Sequence, residues 1–232
     1  MALDWPAFGD ALWKVSDQLG IRPEWQLPVL YLETAGTFDP AIVNPDGCVG
    51  LNQFCQAPGT YKRYVSVPVS EYQTWTASQQ LAGPILNYWR DALQYGSIRS
   101  SARLMLSQLG QVLLKTAPSL DSVVFRSPSQ EYKSNSSFDA GHKHYITVRD
   151  LANSMAGRAR TAAVQNAIAQ AYAMRPGEKP RDPVYGDDYV DFSRVTPPIA
   201  SPPSGAPTAV LGVALLAVIA AVAADEARAR FA

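Results

Sequence analysis

Between Val29 and Gln56 the chain reads VLYLETAGTFDPAIVNPDGCVGLNQFCQ, one carboxylate at the end of an apolar run followed at once by two tight polar turns. Val29, Leu30, Tyr31 and Leu32 precede Glu33, Phe38 and Ile42 follow it, and no other acid stands between Glu24 and Asp39. A helix through Leu27 to Leu32 therefore delivers a lone acid into apolar surroundings. Burial of that kind disfavours the ionised form and raises a carboxyl pKa. A proton held near neutral pH is what a general acid needs in order to protonate a leaving oxygen. Glu33 is the candidate catalytic residue; taken alone, a glutamate at a helix end is a cap or an ion-pair partner.

The residues after Glu33 form a loop that can lie against it. Ala35-Gly36-Thr37 ends the helix, because glycine tolerates the left-handed C-terminal conformation. Phe38 then packs back on the core, while Asp39-Pro40 and Asn44-Pro45-Asp46-Gly47 carry turn chemistry. Val49 to Phe54 reads as an extended strand whose alternate residues point to opposite sides. Within it Gly50 permits close backbone approach, and the amides of Asn52 and Gln53 suit sugar hydroxyl or N-acetyl groups, a solvated turn being the plainer role for Gln53.

The order Glu33-Thr34, Gly36, Phe38-Asp39-Pro40, Ala41, Asn44-Pro45, Gly47, then Gly50-Leu51-Asn52-Gln53-Phe54 resembles the lytic transglycosylases of the lysozyme-like superfamily. Their pattern is Glu-Ser, a small residue, Phe or Tyr, Asn-Pro, a short loop and Gly-Leu-Met-Gln. The match is dense over the 28 residues from Val29 to Gln56 and loose elsewhere. Thr34 stands where the family has Ser, and Asn52 where it has Met. The resemblance implies a mainly α, lysozyme-like fold with a short β/loop element. It also implies cleavage of the bond between N-acetylmuramic acid and N-acetylglucosamine in peptidoglycan, with Glu33 as acid and then base. In that family the substrate's own acetamido or 6-hydroxyl group replaces an enzyme nucleophile, one of the ways around a two-carboxylate site. Substrate contacts would fall to Thr34, Gly50, Leu51, Asn52, Gln53 and Phe54.

A second stretch, YKSNSSFDAGHKHYITVRDL from Tyr132 to Leu151, resembles the end of this domain in the phage-encoded members. There a Tyr, an Asn and an Asp-Gly-rich turn precede Ile-Thr-x-x-Asp and a closing helix. Tyr132 takes the place of the family tyrosine that holds the catalytic Glu. Thr147 and Asp150 have the spacing of a capping box.

Composition narrows the alternatives. With 20 basic and 20 acidic residues and 47% hydrophobic ones, the chain lacks the footprint of a nucleic-acid binder and the polarity of a wholly disordered protein. Its two histidines, His142 and His144, belong to no cluster with metal-ligand spacing, so no metal or cofactor is expected. Cys48 and Cys55 read as two free, partly buried thiols, with a disulfide staple as the alternative in an oxidising compartment.

Along the rest of the chain, Asp4 caps a helix with an apolar face of Trp5, Phe8, Leu12, Val15 and Leu19, stopped by Gly20. This start lacks the basic and uninterrupted apolar segments of a secretory signal. Pro23 suits a first helical turn, and Pro28 predicts a bend or a later start. Ser70 or Thr76 caps a segment running to Leu93, kinked at Gly83-Pro84. Of Tyr72, Trp75, Tyr88, Trp89 and Tyr95, most read as core. Ser100 or Ser101 opens a helix that Pro118 ends, and Val148 to Met174 reads as one long helix.

These signals divide the chain into a lysozyme-like domain at 1–174, a Pro-rich linker at 175–207, an apolar helix at 208–224 and a charged tail at 225–232. The apolar segment carries no charge over 17 residues. At roughly 1.5 Å per residue it approaches the length that crosses a bilayer, and its alanines equally suit packing in an assembly. A wall enzyme without an export signal is expected to be delivered by a virion. Its partners would be glycan strands and, through the C-terminal helix, a membrane or other virion proteins, with no nucleic acid. The rival expectation is a non-catalytic structural or ejection protein of a phage particle with a glycan-binding lysozyme-like domain.

Overall fold

The computed structural model describes residues 3–56 and 59–187. The 188–207 part of the expected linker, the 208–224 helix and the 225–232 tail lie outside the described residues. Among the described residues no helix is long and apolar enough to cross a membrane. The fold is mainly α.

Helix α1, Trp5–Leu19, begins where the Asp4 carboxylate accepts the Ala7 amide and ends at Gly20, whose φ of 72° is left-handed. Helix α2, Pro23–Glu33, starts at Pro23 despite Pro28 inside it. A proline there forgoes one hydrogen bond, but every residue from Pro23 to Leu30 is buried, and that packing outweighs the local penalty.

After α2 comes a β-hairpin in place of the single strand expected over Val49–Phe54. Strands β1, Cys48–Val49, and β2, Phe54–Cys55, pair antiparallel with Cys48 opposite Cys55 and Val49 opposite Phe54. Gly50 and Gln53 both have left-handed φ, 81° and 47°, and the Gln53 amide donates to the Gly50 carbonyl at 3.1 Å, so the chain reverses between them. Cys48 and Cys55 are bonded to each other, correcting the expectation of free thiols. The cause is the register, which sets the two Cα atoms 3.9 Å apart. A crosslink closing so short a loop contributes about 2 kcal/mol. The double variant Cys48→Ser/Cys55→Ser is therefore expected to lose about that much in urea denaturation, whereas an unchanged midpoint would show that the hairpin holds its shape without the bond.

Helices α3, Thr60–Tyr64, and α4, Val69–Tyr72, lead to α5, Ala77–Gln80, which opens on a reciprocal capping box between Thr76 and Gln79. The kink expected at Gly83-Pro84 is a π-helical turn, Leu81–Ile85, which runs on into α6, Leu86–Ala92. Pro84 has no amide to donate, and the wider turn accommodates it.

Helix α7, Ser101–Leu109, is buried at every residue and packs on α2. The Ser100 side chain caps it, and Gly110 stops it short of the expected Pro118, leaving α8, Leu113–Thr116, as a separate turn. Strands β3, Val123–Arg126, and β4, Tyr145–Thr147, pair antiparallel around α9, Gln130–Asn135, and a 3-10 turn at Ser136–Phe138.

The long closing helix expected from Val148 is two helices, α10, Val148–Ala159, and α11, Ala162–Ala173. Thr147 and Asp150 cap α10 reciprocally as their spacing predicts, and Lys143 pairs with Asp150 at 2.8 Å. The break comes at Thr161, whose hydroxyl accepts the Val164 amide and starts a new N-terminus. Helix α11 then returns to α1 and α2, where the Trp13 indole donates to the Ala171 carbonyl at 2.7 Å.

The body does not end at Met174. Residues 178–187, expected to be spacer, run across the surface of α2 and the start of α7 as a strap. The Arg181 amide donates to Glu24, the Trp25 indole donates to the Asp182 carbonyl, and Val184 is buried. The strap's carbonyls at Pro183 and Val184 accept the Ser101 and Ala102 amides, which have no partner within α7.

Candidate active site

Glu33 is the last residue of α2, and the turn behind it is tightly specified. The Thr34 hydroxyl donates to the Leu30 carbonyl at 2.7 Å and accepts the Phe38 amide at 2.9 Å. The Gly36 amide donates to the Tyr31 carbonyl at 2.7 Å. A side chain at Gly36 would press on the Tyr31 ring at 3.1 Å, which is why glycine occupies that left-handed position. Phe38 is buried beside Trp5, Phe8 and Tyr31, as the sequence predicts. The helix end therefore has little freedom, and neither does the first carbon of the Glu33 side chain.

The two acids of α2 have opposite surroundings. Glu24, fully buried, accepts from Arg22 at 2.9 Å, Tyr172 at 2.5 Å and the Arg181 amide at 2.9 Å. That is a satisfied buried carboxylate. Glu33 is 9% exposed, and its Oε1 is buried with no hydrogen-bond partner. Burial pushes the Glu33 carboxyl up to about 8, against the pull of the Arg158 guanidinium. It is therefore predominantly protonated at neutral pH.

Two neighbours sense that carboxyl. Tyr88, on α6, donates its hydroxyl to the Ser107 carbonyl at 2.7 Å; burial raises its pKa, and the charges of Tyr64 and Glu33 raise it further. Arg158, on α10, donates to the carbonyl and hydroxyl of Ser154 at 3.0 and 2.7 Å. Burial lowers its pKa and the charge of Glu33 opposes that. The acids nearest in sequence do other work, Asp39 accepting the Ala41 amide and Asp46 standing in the exposed turn capped by Asn44.

The hairpin residues are placed differently from the expectation that they contact substrate. A Cβ at Gly50 would come within 2.6 Å of Gln80 Oε1 and 2.8 Å of Tyr72, so no side chain fits. The Leu51 amide donates to Gln80 Oε1, and the Gln80 amide group donates in turn to the Pro40 and Tyr72 carbonyls. Asn52 Oδ1 accepts from Gln108 on α7 at 2.9 Å. Gln53 donates to the Gly50 carbonyl at 2.7 Å, while its own Oε1 is buried without a partner. Phe54 stacks on Tyr64 and meets Tyr88 edge-on, each at 5.7 Å. Thr34, Leu51 and Phe54 are thus part of the core, and Asn52 braces the hairpin against α7. Glu33 and Gln53 alone among the predicted residues keep a buried polar atom free.

Tyr132 does not hold Glu33. Its one O–H donates to Asp139 at 2.9 Å, and Asp139 also accepts the Lys143 and His144 amides, so the tyrosine anchors the loop before β4. Tyr88, which sequence reasoning grouped with the core aromatics, is a tyrosine whose proton affinity the Glu33 charge raises, after burial and Tyr64. Arg158 was missed altogether, although a signal existed. Residues 154, 155, 161 and 162 are Ser, Met, Thr and Ala, so no acid stands at helical spacing to neutralise it. Among the described residues no group of His, Cys, Asp and Glu is arranged to hold a metal ion.

Comparison with protein-family models, with curated proteins and with solved structures finds no match for this chain.

Proposed function

We propose that this chain is a lytic transglycosylase of peptidoglycan, with a lysozyme-like domain in which Glu33 is the single acid and base. The observation that carries the reading is the contrast within α2, where Glu24 has every partner a buried carboxylate needs and Glu33 is left neutral with an oxygen free. An unpartnered buried polar atom costs stability, and perturbed carboxyls of this kind gather at functional sites.

The chemistry then follows from one proton. Glu33 donates it to the glycosidic oxygen between N-acetylmuramic acid and N-acetylglucosamine as the C1–O bond breaks. The substrate's acetamido group supports the developing charge at C1, and its 6-hydroxyl closes on C1. The resulting Glu33 carboxylate takes the hydroxyl proton back, leaving a 1,6-anhydro ring and a restored acid. In such a reaction the substrate's own group takes the place of an enzyme nucleophile.

In this proposal the enzyme is carried by a virion and opens the wall during entry, with the 208–224 segment docking in a membrane or the particle. Incubating purified wall with the full chain tests the activity. Release of 1,6-anhydromuropeptides supports it, new reducing ends would mean hydrolysis, and no product would favour the non-catalytic structural or ejection role. Immunoblots of purified particles against infected-cell fractions test the location.

A further inference from the structure

The β1–β2 hairpin is held unequally on its two sides. β1 is gripped by the loop before it: Asn44 donates its amide to the Cys48 carbonyl and accepts the Cys48 amide on Oδ1, each at 3.0 Å, and Val49 pairs with Val43. The turn is gripped as well, by the Gly50 amide on the Ile42 carbonyl, by Gln80 on Leu51 and by Gln108 on Asn52.

β2 lacks any such hold. Among the described residues, Phe54 and Cys55 make no main-chain hydrogen bond outside their pairing with β1, and the chain reaches the surface at Gln56. What keeps β2 in place is a ladder of two residue pairs, the Phe54 ring against Tyr64 and Tyr88, and the bond from Cys55 to Cys48. A two-stranded ladder that short is not stable by itself in water. Burial of one ring and the entropy of ordering the residues from Gln53 to Gln56 are of similar size and opposite sign, so the crosslink decides between them.

That crosslink is conditional on its surroundings. Cys48 and Cys55 are the only cysteines of the chain, so neither has another partner within it. Two low-molecular-weight thiols, RSH, open the bond by exchange. The first attacks one sulfur to form a mixed disulfide and the second displaces the protein thiol, so that RSSR leaves while Cys48 and Cys55 take up two electrons and two protons. Such thiols keep cysteines reduced in a cytosol, whereas the bacterial periplasm and the cell exterior keep them oxidised. In the closed hairpin the cysteines are 0 and 1% exposed, so a reductant reaches them only after β2 has lifted.

We propose that Cys48 and Cys55 form a redox clasp on the hairpin. With both thiols reduced, β2 lifts from β1 and withdraws Phe54 from Tyr64 and Tyr88, while β1 and the helices stay in place. Oxidation closes the strand, and burial then shields the bond from reversal. A chain made among cytosolic thiols thus carries an open hairpin, and one that has reached an oxidising space presents a fixed one, with Gln53 and its free Oε1 on the turn. The clasp does not depend on the transglycosylase reading, since it concerns the shape of the loop and not the bond that is cut.

For the test, the full chain is reduced with dithiothreitol in urea, refolded, desalted without air and labelled with iodoacetamide, each rate being taken relative to the same cysteine in urea. Tandem mass spectrometry tells the two cysteines apart, and circular dichroism follows the helices. Cys55 is expected to react about tenfold faster than Cys48, with the helices retained. Cys48→Ala and Cys55→Ala, each left with one thiol and unable to form the bond, repeat the comparison without reductant. Equal protection of both thiols would show that the hairpin closes without its bond, equal reactivity that the whole hairpin opens, and loss of the helices that the bond holds the body. Each of these three results overturns the proposal.

Discussion

Replacing Glu33 with Gln is expected to make the protein more stable and inactive at the same time. The sign follows from the proton. Glu33 binds it more tightly folded, near pH 8, than unfolded, near the ordinary 4.5. Between those values the unfolded chain has released a proton that the folded chain retains, so stability falls as pH rises. It is highest below about 4.5, declines through neutrality, and levels off once the folded group also ionises above about 8. Glutamine has nearly the same shape and never ionises. Glu33→Gln should therefore match the parent near pH 4 and exceed it at pH 7 by about 3 kcal/mol, with a larger gap at pH 9. Urea denaturation at the three pH values reads this directly, and equal midpoints throughout would mean that Glu33 titrates as an ordinary surface acid. In the wall assay the same variant should lose about a thousandfold in rate, the scale of a missing general acid. The parent's rate should decline above about pH 8 as the acid form is lost.

A chain cut after Met174 is expected to be less stable than one cut after Asp187 by about 5 kcal/mol. The first cut removes the Arg181 amide from Glu24 and the carbonyl from the Trp25 indole. It also takes away the acceptors for the Ser101 and Ala102 amides and uncovers the pocket filled by Val184. A charge-assisted bond to a buried carboxylate contributes about 2 kcal/mol and each neutral one about 1. Gly186 shows how closely the strap lies, since a side chain there would run into the Arg99 carbonyl, and the Asp187 amide donates to that same atom. Thermal unfolding of the two truncations separates the cases. Coincident transitions would mean that the strap rests on the body without stabilising it.

Much of the first half was readable from short-range chemistry. Asp4 and Gly20 cap as read, Thr76 and Ser100 prove to be the caps among the serines and threonines on offer, and beyond the midpoint Thr147 with Asp150 does what its spacing predicts, because a cap is settled within four residues. The burial of Glu33 was readable for the same reason, from the apolar residues on either side. What could not be read depends on partners far along the chain. Gln80 and Gln108 look like surface amides, yet they meet the hairpin 29 and 56 residues away and fix where Leu51 and Asn52 lie. The strap was hidden by its composition, since prolines bar it from helix and strand but leave its carbonyls free to cap α7. Thr161 was lost among alanines, and Tyr132 satisfied a sequence pattern while Asp139 took its hydroxyl.

The π-helical turn at Leu81–Ile85 has a consequence for the inheritance of this site. One residue added to a helix swings everything beyond it by about 100°. Tyr88, which meets both Phe54 and the charge of Glu33, lies just past that insertion, on the same continuous rod as Gln80, which grips the hairpin from before it. Deleting a single position there would leave the rod intact and turn one of the two contacts into solvent. Gly83 and Pro84 thus act as the clocking mark between two halves of a shaft, and the spacing across them is bound to the chemistry more strictly than the identity of any residue between.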